Sequence, residues 1–254
     1  MIKACEEPLV SVIIPVFNAE RFLRETIQSV FDQTYINWEL ILVNDCSTDG
    51  SELVAKQFLK DKRIRWVNLK CNSGAAVARN KGIELARGRF IAFLDADDLY
   101  VKDKLKEQVA FMLGKDCAFS FTSYEFTDAN GKPNGKKVIV PLRITYKQAL
   151  KNTTIFTSTV MLNTDKLSKD DIEMPCVPSE DTATWWKILK KVSCGYGVSD
   201  VCSFYRRSAG TLSSNKVEAV RRIWSLYRNT EKMNSLKSAY YFCFWAFNAV
   251  RRRV

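Results

Sequence analysis

Within its first hundred residues the chain alternates between four strand-like runs and three stretches with helical spacing. Mostly apolar runs that predict strands cover residues 9–15, 39–43, 64–69 and 90–94, and helical patterns cover residues 19–32, 49–59 and 75–86. Strands that alternate with helices in this way pair in parallel, because each helix returns the chain to the same end of the sheet. The pattern therefore predicts an α/β fold with a parallel sheet.

A polar segment follows each of the four predicted strands. The segments are residues 17–18, 44–45, 72–74 and 95–98. Because the carboxyl ends of parallel strands meet at one edge of the sheet, and ligands bind at that edge, we expect a binding site there. The sequence contains neither G-x-G-x-x-G nor G-x-x-x-x-G-K-[ST], so neither a dinucleotide fingerprint nor a P-loop explains the site.

Three carboxylates crowd into five residues directly after the fourth strand, in the run Leu-Asp-Ala-Asp-Asp at 94–98. Mg²⁺ and Mn²⁺ prefer hard oxygen ligands, and two carboxylates leave coordination positions open for phosphate oxygens and water. We therefore expect a divalent cation and a nucleotide diphosphate at this turn. The alternative is structural, with Asp98 capping a helix that starts near Lys102.

The 254 residues include no histidine. This absence excludes Ser-His-Asp and Cys-His catalysis and histidine-ligated zinc, and it leaves acid–base chemistry to carboxylates, lysines or tyrosines. The eight cysteines are scattered without a Cys-x-x-Cys pair, so we expect reduced thiols in a cytoplasmic protein. The N-terminus lacks the basic start and apolar run of a secretory signal.

After residue 115 the pattern becomes mixed. We expect a strand at 118–126, turns at 130–131 and 134–135, a β-type run at 153–162, a helix at 181–192 and a short strand at 201–206. The second half is thus predicted to be a loop-rich mixture of strands and helices.

The C-terminal forty residues carry most of the net positive charge of the chain. Residues 215–254 hold nine Lys or Arg and two Glu, a net charge of +7 out of +11 for the chain. Residues 236–250 are apolar and aromatic, too short to span a bilayer, and three arginines follow. This combination favours an interfacial helix on an anionic membrane surface, and packing on the protein body or on a second subunit is the alternative. Nucleic-acid binding is not expected, because the aromatic residues do not interleave with the basic ones.

Together these motifs resemble family 2 glycosyltransferases with the GT-A fold. The resemblance rests on residues 10–18, 42–49, 72–80, 93–98, 179–181 and 205–206, in the family's order and spacing. It implies an inverting, metal-dependent transferase that moves a sugar from a nucleotide diphosphate donor, most often a UDP-sugar, to a hydroxyl of a glycan or lipid-linked glycan. The tail looks like that of bacterial members that build capsule, O-antigen or related surface polysaccharides.

The resemblance also implies roles for individual residues. Asp45 would hydrogen-bond the nucleotide base, Arg79 would lie beside the base and diphosphate, and Asp95 would lie near the ribose. Asp97 would ligate Mg²⁺ or Mn²⁺ as the metal cofactor. Asp181 would be the general base that takes the proton from the acceptor hydroxyl.

Two further groups complete the implied site. The residues expected to line the nucleotide site are Pro15, Phe17 and Asn18, and those expected to contact the diphosphate or the acceptor are Glu180, Tyr205 and Arg206. The sequence departs from the family pattern at Ser208, near which many relatives carry a histidine that helps to bind the metal or the diphosphate. Without this histidine, phosphate oxygens, water or another residue must complete the metal shell.

Several of these residues also have structural interpretations. Asp45 could form an Asx-turn, Arg79 a surface ion pair, and Asp181 an N-cap for the helix that bears Trp185 and Trp186. The two tryptophans are themselves expected to pack in the core and not to form a sugar platform.

The resemblance divides the chain into a GT-A domain at 1–212 and a basic, aromatic helical extension at 213–254. Within the domain, residues 1–114 would bind the nucleotide-sugar and residues 115–212 the acceptor. We expect a cytoplasmic protein that associates peripherally with the inner face of the cytoplasmic membrane. The sequence does not decide between a monomer and a homodimer. Two alternatives remain, a non-catalytic sugar-nucleotide-binding protein that retains the GT-A fold and a two-carboxylate glycoside hydrolase.

Overall fold

In the computed structural model, which describes residues 7–152, 154–207 and 216–251, ten strands form one mixed sheet. The strands are β1 (Val10–Val16), β2 (Trp38–Asn44), β3 (Ile64–Asn68), β4 (Phe90–Phe93), β5 (Leu99–Tyr100), β6 (Phe119–Thr127), β7 (Pro133–Val138), β8 (Arg143–Ile144), β9 (Met161–Asn163) and β10 (Gly195–Arg206). The helices are α1 (Glu20–Phe31), α2 (Ser51–Lys56), α3 (Ala75–Leu85), α4 (Lys104–Lys115), α5 (Tyr146–Ala149), α6 (Lys169–Ile172), α7 (Glu180–Lys191), α8 (Lys216–Ser225) and α9 (Ser235–Arg251). A 3₁₀ helix covers Thr157–Thr159, and a π-helical turn covers Leu226–Thr230.

The central strand order is β3-β2-β1-β4-β9-β6-β10-β5. The first four strands pair in parallel, as the alternating sequence pattern predicts. Strand β9 runs antiparallel to both β4 and β6 and so joins the first half of the sheet to the second. Strand β10 is parallel to β6, whereas β5, β7 and β8 add antiparallel pairs. The predicted α/β architecture, a parallel sheet continuous with a mixed half, is confirmed.

Helices cover both faces of the parallel strands. Alternate residues of β1 point to opposite layers, Ile13 into the core beneath α3 and α7, and Val12 into the core beneath α1 and α4. This double coverage explains why the strands of the first half are almost continuously apolar.

Gly82 brings α3 unusually close to the sheet. A Cβ atom at this position would lie 2.4 Å from Cγ2 of Ile13 on β1, so a larger residue would push the helix away. The close approach fixes α3 on the strand and holds Arg79, one turn earlier on the helix, over the carboxyl ends of the strands.

The C-terminal helices pack on α7. The rings of Trp186 and Tyr227 stack with centroids 5.4 Å apart, and Tyr241 of α9 is buried in the same core. Trp185 and Trp186 are each 1% exposed, which confirms their prediction as core residues. None of the helices in the described ranges combines the length and apolarity needed to cross a bilayer.

Two sequence-based expectations for the second half are wrong. In the run at 153–162, where a strand was predicted, the chain forms the 3₁₀ helix Thr157–Thr159 and enters β9 only at Met161. The hydroxyl groups in this run hold the 3₁₀ turn through side-chain hydrogen bonds, which an alternation pattern does not reveal. The second predicted turn lies inside β7, where Gly135 has a φ of +82° beside a register shift.

The predicted helix at 49–59 is also shorter, because α2 ends at Lys56. Although Asp49 and Glu52 have the spacing of a capping box, they do not cap α2 together. The Asp49 carboxylate instead accepts hydrogen bonds from the backbone N–H groups of Ser51 and Glu20, while Glu52 pairs with Lys56 one turn later.

Candidate functional site

A cavity of about 670 Å³ opens at the carboxyl ends of β1, β2 and β4. Its wall includes eight of the residues singled out from the sequence, namely Pro15, Phe17, Asn18, Asp45, Arg79, Asp95, Asp97 and Tyr205. The polar segments that follow separate strands therefore converge, as the topology of a parallel sheet requires.

The segment after β1 presents one aromatic ring and one anchored amide. The side chain of Phe17 is 51% exposed, an unusual setting for a phenylalanine and one that leaves its ring free to stack on a flat ligand. Asn18 adopts a left-handed φ of 48°, and its Oδ1 accepts a hydrogen bond from the backbone N–H of Thr48 at 2.8 Å. The anchored amide ties the β1 loop to the loop after β2.

Asp45 organises the loop before α3. Its two carboxylate oxygens accept hydrogen bonds from the backbone N–H groups of Ser73 at 2.7 Å and Gly74 at 2.8 Å, and the side chain is buried. Each carboxylate oxygen has a further lone pair, so these bonds leave acceptor capacity for a ligand. The carboxylate thus both shapes the loop and borders the cavity.

The acidic turn after β4 brings three carboxylates together, and one of them, Asp95, pairs with Arg79. Burial, and next the charge of Asp95, raise the pKa of Asp97 to about 6. Asp98 is completely buried, and burial together with Asp97 and Asp95 raises its pKa well above the ordinary value. Its carboxylate accepts hydrogen bonds from Ser158 Oγ at 2.6 Å and from the backbone N–H of Arg206 at 3.1 Å. Asp98 is therefore an internal anchor of the turn and does not cap α4.

Arg79 connects this acidic turn to α7. Its Nη2 donates to Asp95 and its Nη1 to Glu180, each over 2.6 Å, and the arginine side chain is only 7% exposed. Although burial opposes the charged form, Asp95 and Glu180 hold the pKa of Arg79 above its usual value. Among the described residues, its buried Nε finds no hydrogen-bond acceptor. The two ion-pair bonds use two of the five guanidinium N–H groups, which leaves the Nε–H and one N–H on each of Nη1 and Nη2.

Asp181 lies in the first turn of α7, next to Glu180. Its Oδ2 accepts a hydrogen bond from the hydroxyl of Thr157 at 3.0 Å, and its Oδ1 accepts from the backbone N–H of Thr182. Burial, and then the neighbouring Asp181, raise the pKa of Glu180, whereas Arg79 lowers it. The residue at the N-cap position is Ser179, so Asp181 is not the N-cap of the helix.

Tyr205 and Arg206 diverge at the end of β10. The Tyr205 ring lies on the cavity wall with its centroid 4.5 Å from that of Phe156. The Arg206 guanidinium is buried, where Nε donates to the carbonyl of Asp97 at 2.8 Å and Nη2 pairs with Glu25 at 2.6 Å. Arg206 therefore supports the acidic turn from the protein interior.

Comparison with known proteins identifies this arrangement. Residues 11–170 match the family model described as glycosyl transferase family 2. The chain belongs to this family. Over 250 residues this glycosyltransferase is 44% identical to TuaG of Bacillus subtilis strain 168, which is named as a glycosyltransferase of teichuronic acid biosynthesis, with 98% of each chain covered.

Another curated relative is WfgD of Escherichia coli, named as a UDP-Glc:alpha-D-GlcNAc-diphosphoundecaprenol beta-1,3-glucosyltransferase. It is 37% identical, and the match covers 93% of this glycosyltransferase and 91% of WfgD. The family and these relatives confirm the glycosyltransferase interpretation of the sequence and do not support the non-catalytic alternative.

Solved structures confirm the GT-A fold. The TarS fragment 1–349 of S. aureus in complex with UDP-GlcNAc superposes with a TM-score of 0.71 at 23% identity, covering 94% of this glycosyltransferase and 71% of that chain. The mannosyltransferase PcManGT of Pyrobaculum calidifontis, solved with GDP-Man and Mn²⁺, gives a TM-score of 0.73 at 17% identity, covering 97% and 74%.

The sequence pattern missed the residues that join the two halves of this glycosyltransferase site. Phe156, Thr157 and Ser158 were read as part of a strand, yet they contact Tyr205, Asp181 and the acidic turn. No local signal marks them, because each partner lies at least 24 positions away in the sequence. The departure at Ser208 lies outside the described residues.

Proposed function

We propose that the protein transfers a sugar from a UDP-sugar to a hydroxyl of a lipid-linked glycan, with inversion at the anomeric carbon, during synthesis of a bacterial surface polysaccharide such as capsule or O-antigen. The observation that carries this proposal is the convergence of Phe17, Asp45, Arg79 and the acidic turn on one cavity. The name of WfgD, with a UDP-Glc donor and a diphosphoundecaprenol acceptor, supports the choice of substrates.

The nucleotide would lie over the ends of β1 and β2. The exposed ring of Phe17 offers a stacking face for the base, and Asp45 retains lone pairs that can accept the N–H of a uracil ring. Pro15 and Asn18 would complete this wall. Asp95 would then face the ribose, and Arg79, which lies on the cavity wall, would donate an N–H not used in its two ion pairs to a diphosphate oxygen.

The acidic turn suits a divalent cation. Across the described residues, no three His, Cys, Asp or Glu side chains form a ready-made metal cluster. Asp97 nevertheless lies on the cavity wall, where burial and then the charge of Asp95 raise its pKa, and hard carboxylate oxygens are the ligands that Mg²⁺ and Mn²⁺ prefer. Asp97 would hold the ion, with Asp95 beside it and phosphate oxygens completing the shell. When bound, the ion supplies positive charge for the departing nucleoside diphosphate.

Asp181 would act as the general base. It takes the proton of the acceptor hydroxyl while that oxygen bonds the anomeric carbon and the bond from this carbon to the diphosphate breaks. Glu180 would hold Arg79 beside the departing diphosphate, and Tyr205 would contact the acceptor. The halves at 1–114 and 115–212 would thus serve donor and acceptor respectively.

The extension at 213–254 would bring the enzyme to a lipid-linked acceptor on the inner face of the cytoplasmic membrane. Four large apolar residues share one exposed face of α9, and these are Leu236, Tyr240, Phe244 and Phe247. They follow the helical spacing i, i+4, i+8 and i+11, so they form one stripe. The net charge of +7 in the C-terminal forty residues favours an anionic lipid surface over a second protein copy of the same charge.

A donor screen tests the proposed function. Calorimetry would measure binding of UDP-, GDP- and dTDP-sugars with Mn²⁺ and after chelation. We expect a response to one UDP-sugar that chelation or Asp97→Ala removes, and we expect Asp181→Ala to retain donor binding but lose turnover. Tight binding of a GDP-sugar alone would contradict the donor assignment, and equal losses of binding and turnover in Asp181→Ala would contradict its role as base.

A further inference from the structure

The 3₁₀ helix Thr157–Thr159 lies between the acidic turn and the start of α7. On one side, Ser158 Oγ accepts a hydrogen bond from the backbone N–H of Asp95 at 3.0 Å and donates to Asp98 at 2.6 Å. On the other side, Thr157 Oγ1 donates to Oδ2 of Asp181 at 3.0 Å. Consecutive side chains of one short element thus contact both the donor side and the acceptor side of the site.

This turn is held firmly in the protein. Ser203 Oγ of β10 donates to the carbonyl of Ser158 at 3.0 Å, and Gln108 Nε2 of α4 donates to the carbonyl of Thr159 at 3.0 Å. Thr157 is 2% exposed, so water does not compete for its hydroxyl. A buried hydroxyl on a fixed backbone sets the position of its acceptor more narrowly than solvent contacts do.

We infer that Thr157 is a positioning residue for the reaction, and that it fixes the carboxylate of Asp181 in the orientation that receives the acceptor proton. The inference rests on the proposed function, in which Asp181 is the general base. Two of the carboxylate's lone pairs are used by Thr157 and by the backbone N–H of Thr182. The lone pairs that remain then point in a defined direction toward the incoming hydroxyl.

The chain offers a matched control two residues away. Thr159 is also completely buried in the same turn, but its hydroxyl donates to the carbonyl of Phe156, which also accepts the backbone N–H of Thr159. Thr157→Val and Thr159→Val therefore make the same chemical change in the same element. Only the first removes a bond to Asp181.

The test compares four variants with the wild type, namely Thr157→Val, Thr159→Val, Thr157→Ser and Asp181→Asn. Turnover is measured as UDP released from UDP-glucose with GlcNAc-diphosphoundecaprenol as acceptor, and UDP-glucose binding is measured by calorimetry with Mn²⁺. We expect Thr157→Val to lower kcat about tenfold to a hundredfold while UDP-glucose affinity and Tm stay near those of Thr159→Val. Thr157→Ser restores the hydroxyl and is expected to recover most of the kcat.

Crystal structures of both valine variants give a readout that does not depend on the acceptor. We expect the Asp181 carboxylate to leave its position in Thr157→Val and to keep it in Thr159→Val. Thr157→Ala replaces the valine variant if that variant does not fold.

The outcomes distinguish the positioning role of Thr157 from the proposed role of Asp181 as base. If Asp181→Asn abolishes turnover while Thr157→Val matches Thr159→Val in kcat and in the Asp181 position, the positioning inference is overturned and the proposed function stands. The inference is also overturned if Thr157→Val loses donor affinity and Tm together with kcat, because such a general loss indicates a structural role. Full turnover in Asp181→Asn would instead contradict the proposed base.

Discussion

The guanidinium of Arg79 donates a hydrogen bond to the carboxylate of Glu180 over 2.6 Å, although 101 positions separate the two residues in the sequence. The same guanidinium pairs with Asp95, so one buried cation holds α3, the acidic turn and α7 together. Because Asp181 follows Glu180 directly, the position of the proposed base depends on an ion pair with the proposed donor side.

Replacing Arg79 should strongly destabilise the folded protein. Arg79→Met leaves Asp95 and Glu180 without their cation, and we expect the free energy of unfolding to fall by about 3–5 kcal/mol, the usual cost of breaking a buried ion pair. Urea titration measures the change. Lys81→Met on the same helix is the control, because its pair with the exposed Glu84 should contribute less than about 1 kcal/mol. Equal losses in the two variants would contradict the structural role of Arg79.

Buried Lys104 should make stability depend on pH. Its Nζ lies 4.0 Å from the centroid of the Tyr100 ring and has no hydrogen-bond partner among the described residues, and burial lowers its pKa to about 7. In the unfolded chain a lysine has a pKa of about 10.4, so the unfolded state binds more protons between these values and stability rises with pH from about 7 to 10.

Lys104→Met should remove this dependence. We expect the variant to be more stable than the wild type by a few kcal/mol at pH 6, with the difference shrinking as pH rises toward 10. Urea titration from pH 6 to pH 10 measures it, and the exposed Lys106→Met serves as control. A wild-type stability that falls over this range in parallel with Lys104→Met would refute the assignment.

Divalent cations should stabilise the folded protein through Asp97. Because the folded pKa of Asp97 is raised to about 6, ionisation of this group destabilises the folded state as pH rises from about 4 to 6. A bound cation offsets this effect and competes with protons. At tenfold excess over its dissociation constant, Mn²⁺ should add about 1.4 kcal/mol, and so raise the Tm at pH 7.5 by about 3–5 °C.

The cation effect should fade as pH falls through 6, and Asp97→Asn should lack it. Differential scanning calorimetry with and without Mn²⁺ measures both. Asp200→Asn, a change at an exposed aspartate on β10, should respond like the wild type. A Tm increase of the same size in Asp97→Asn would place the cation elsewhere.

The exposed stripe of α9 should bind anionic vesicles. We expect Leu236→Ser with Phe247→Ser to lower the fraction that sediments with phosphatidylglycerol vesicles about tenfold or more, since burying one large apolar side chain contributes about 1.5–3 kcal/mol. Leu53→Ser with Ile36→Ser is the matched control, because those apolar residues are similarly exposed but lie outside α9. A chain shortened to end at Asn234 that still sediments at low salt would rule out the membrane role.

The first half of the fold could be predicted because its signals are local. Strands β1, β2 and β4 are almost continuously apolar, and each is followed by polar residues that line the cavity, so Asp45 and Asp97 could be located from neighbouring residues alone. The family resemblance then supplied the roles that spacing could not.

The contacts across the site could not be predicted in this way. Whether Arg206 faces the cavity or supports the acidic turn depends on Glu25, which lies 181 positions away. Likewise, the threonine-rich run around Thr157 has strand-like composition, and its 3₁₀ turn depends on hydrogen bonds to the distant residues Asp181 and Asp98 as well as on local ones. Such partners are set by the packing of the sheet and leave no periodic signal.

The central claim is that the cavity at the strand ends holds a sugar nucleotide together with a cation on Asp97. Anomalous diffraction from crystals grown with UDP-glucose and Mn²⁺ tests it most directly. We predict uracil density between Phe17 and Asp45, a diphosphate beside Arg79, and a manganese peak at the Asp97 carboxylate. A nucleotide bound outside this cavity, or a manganese peak away from Asp97, would contradict the account.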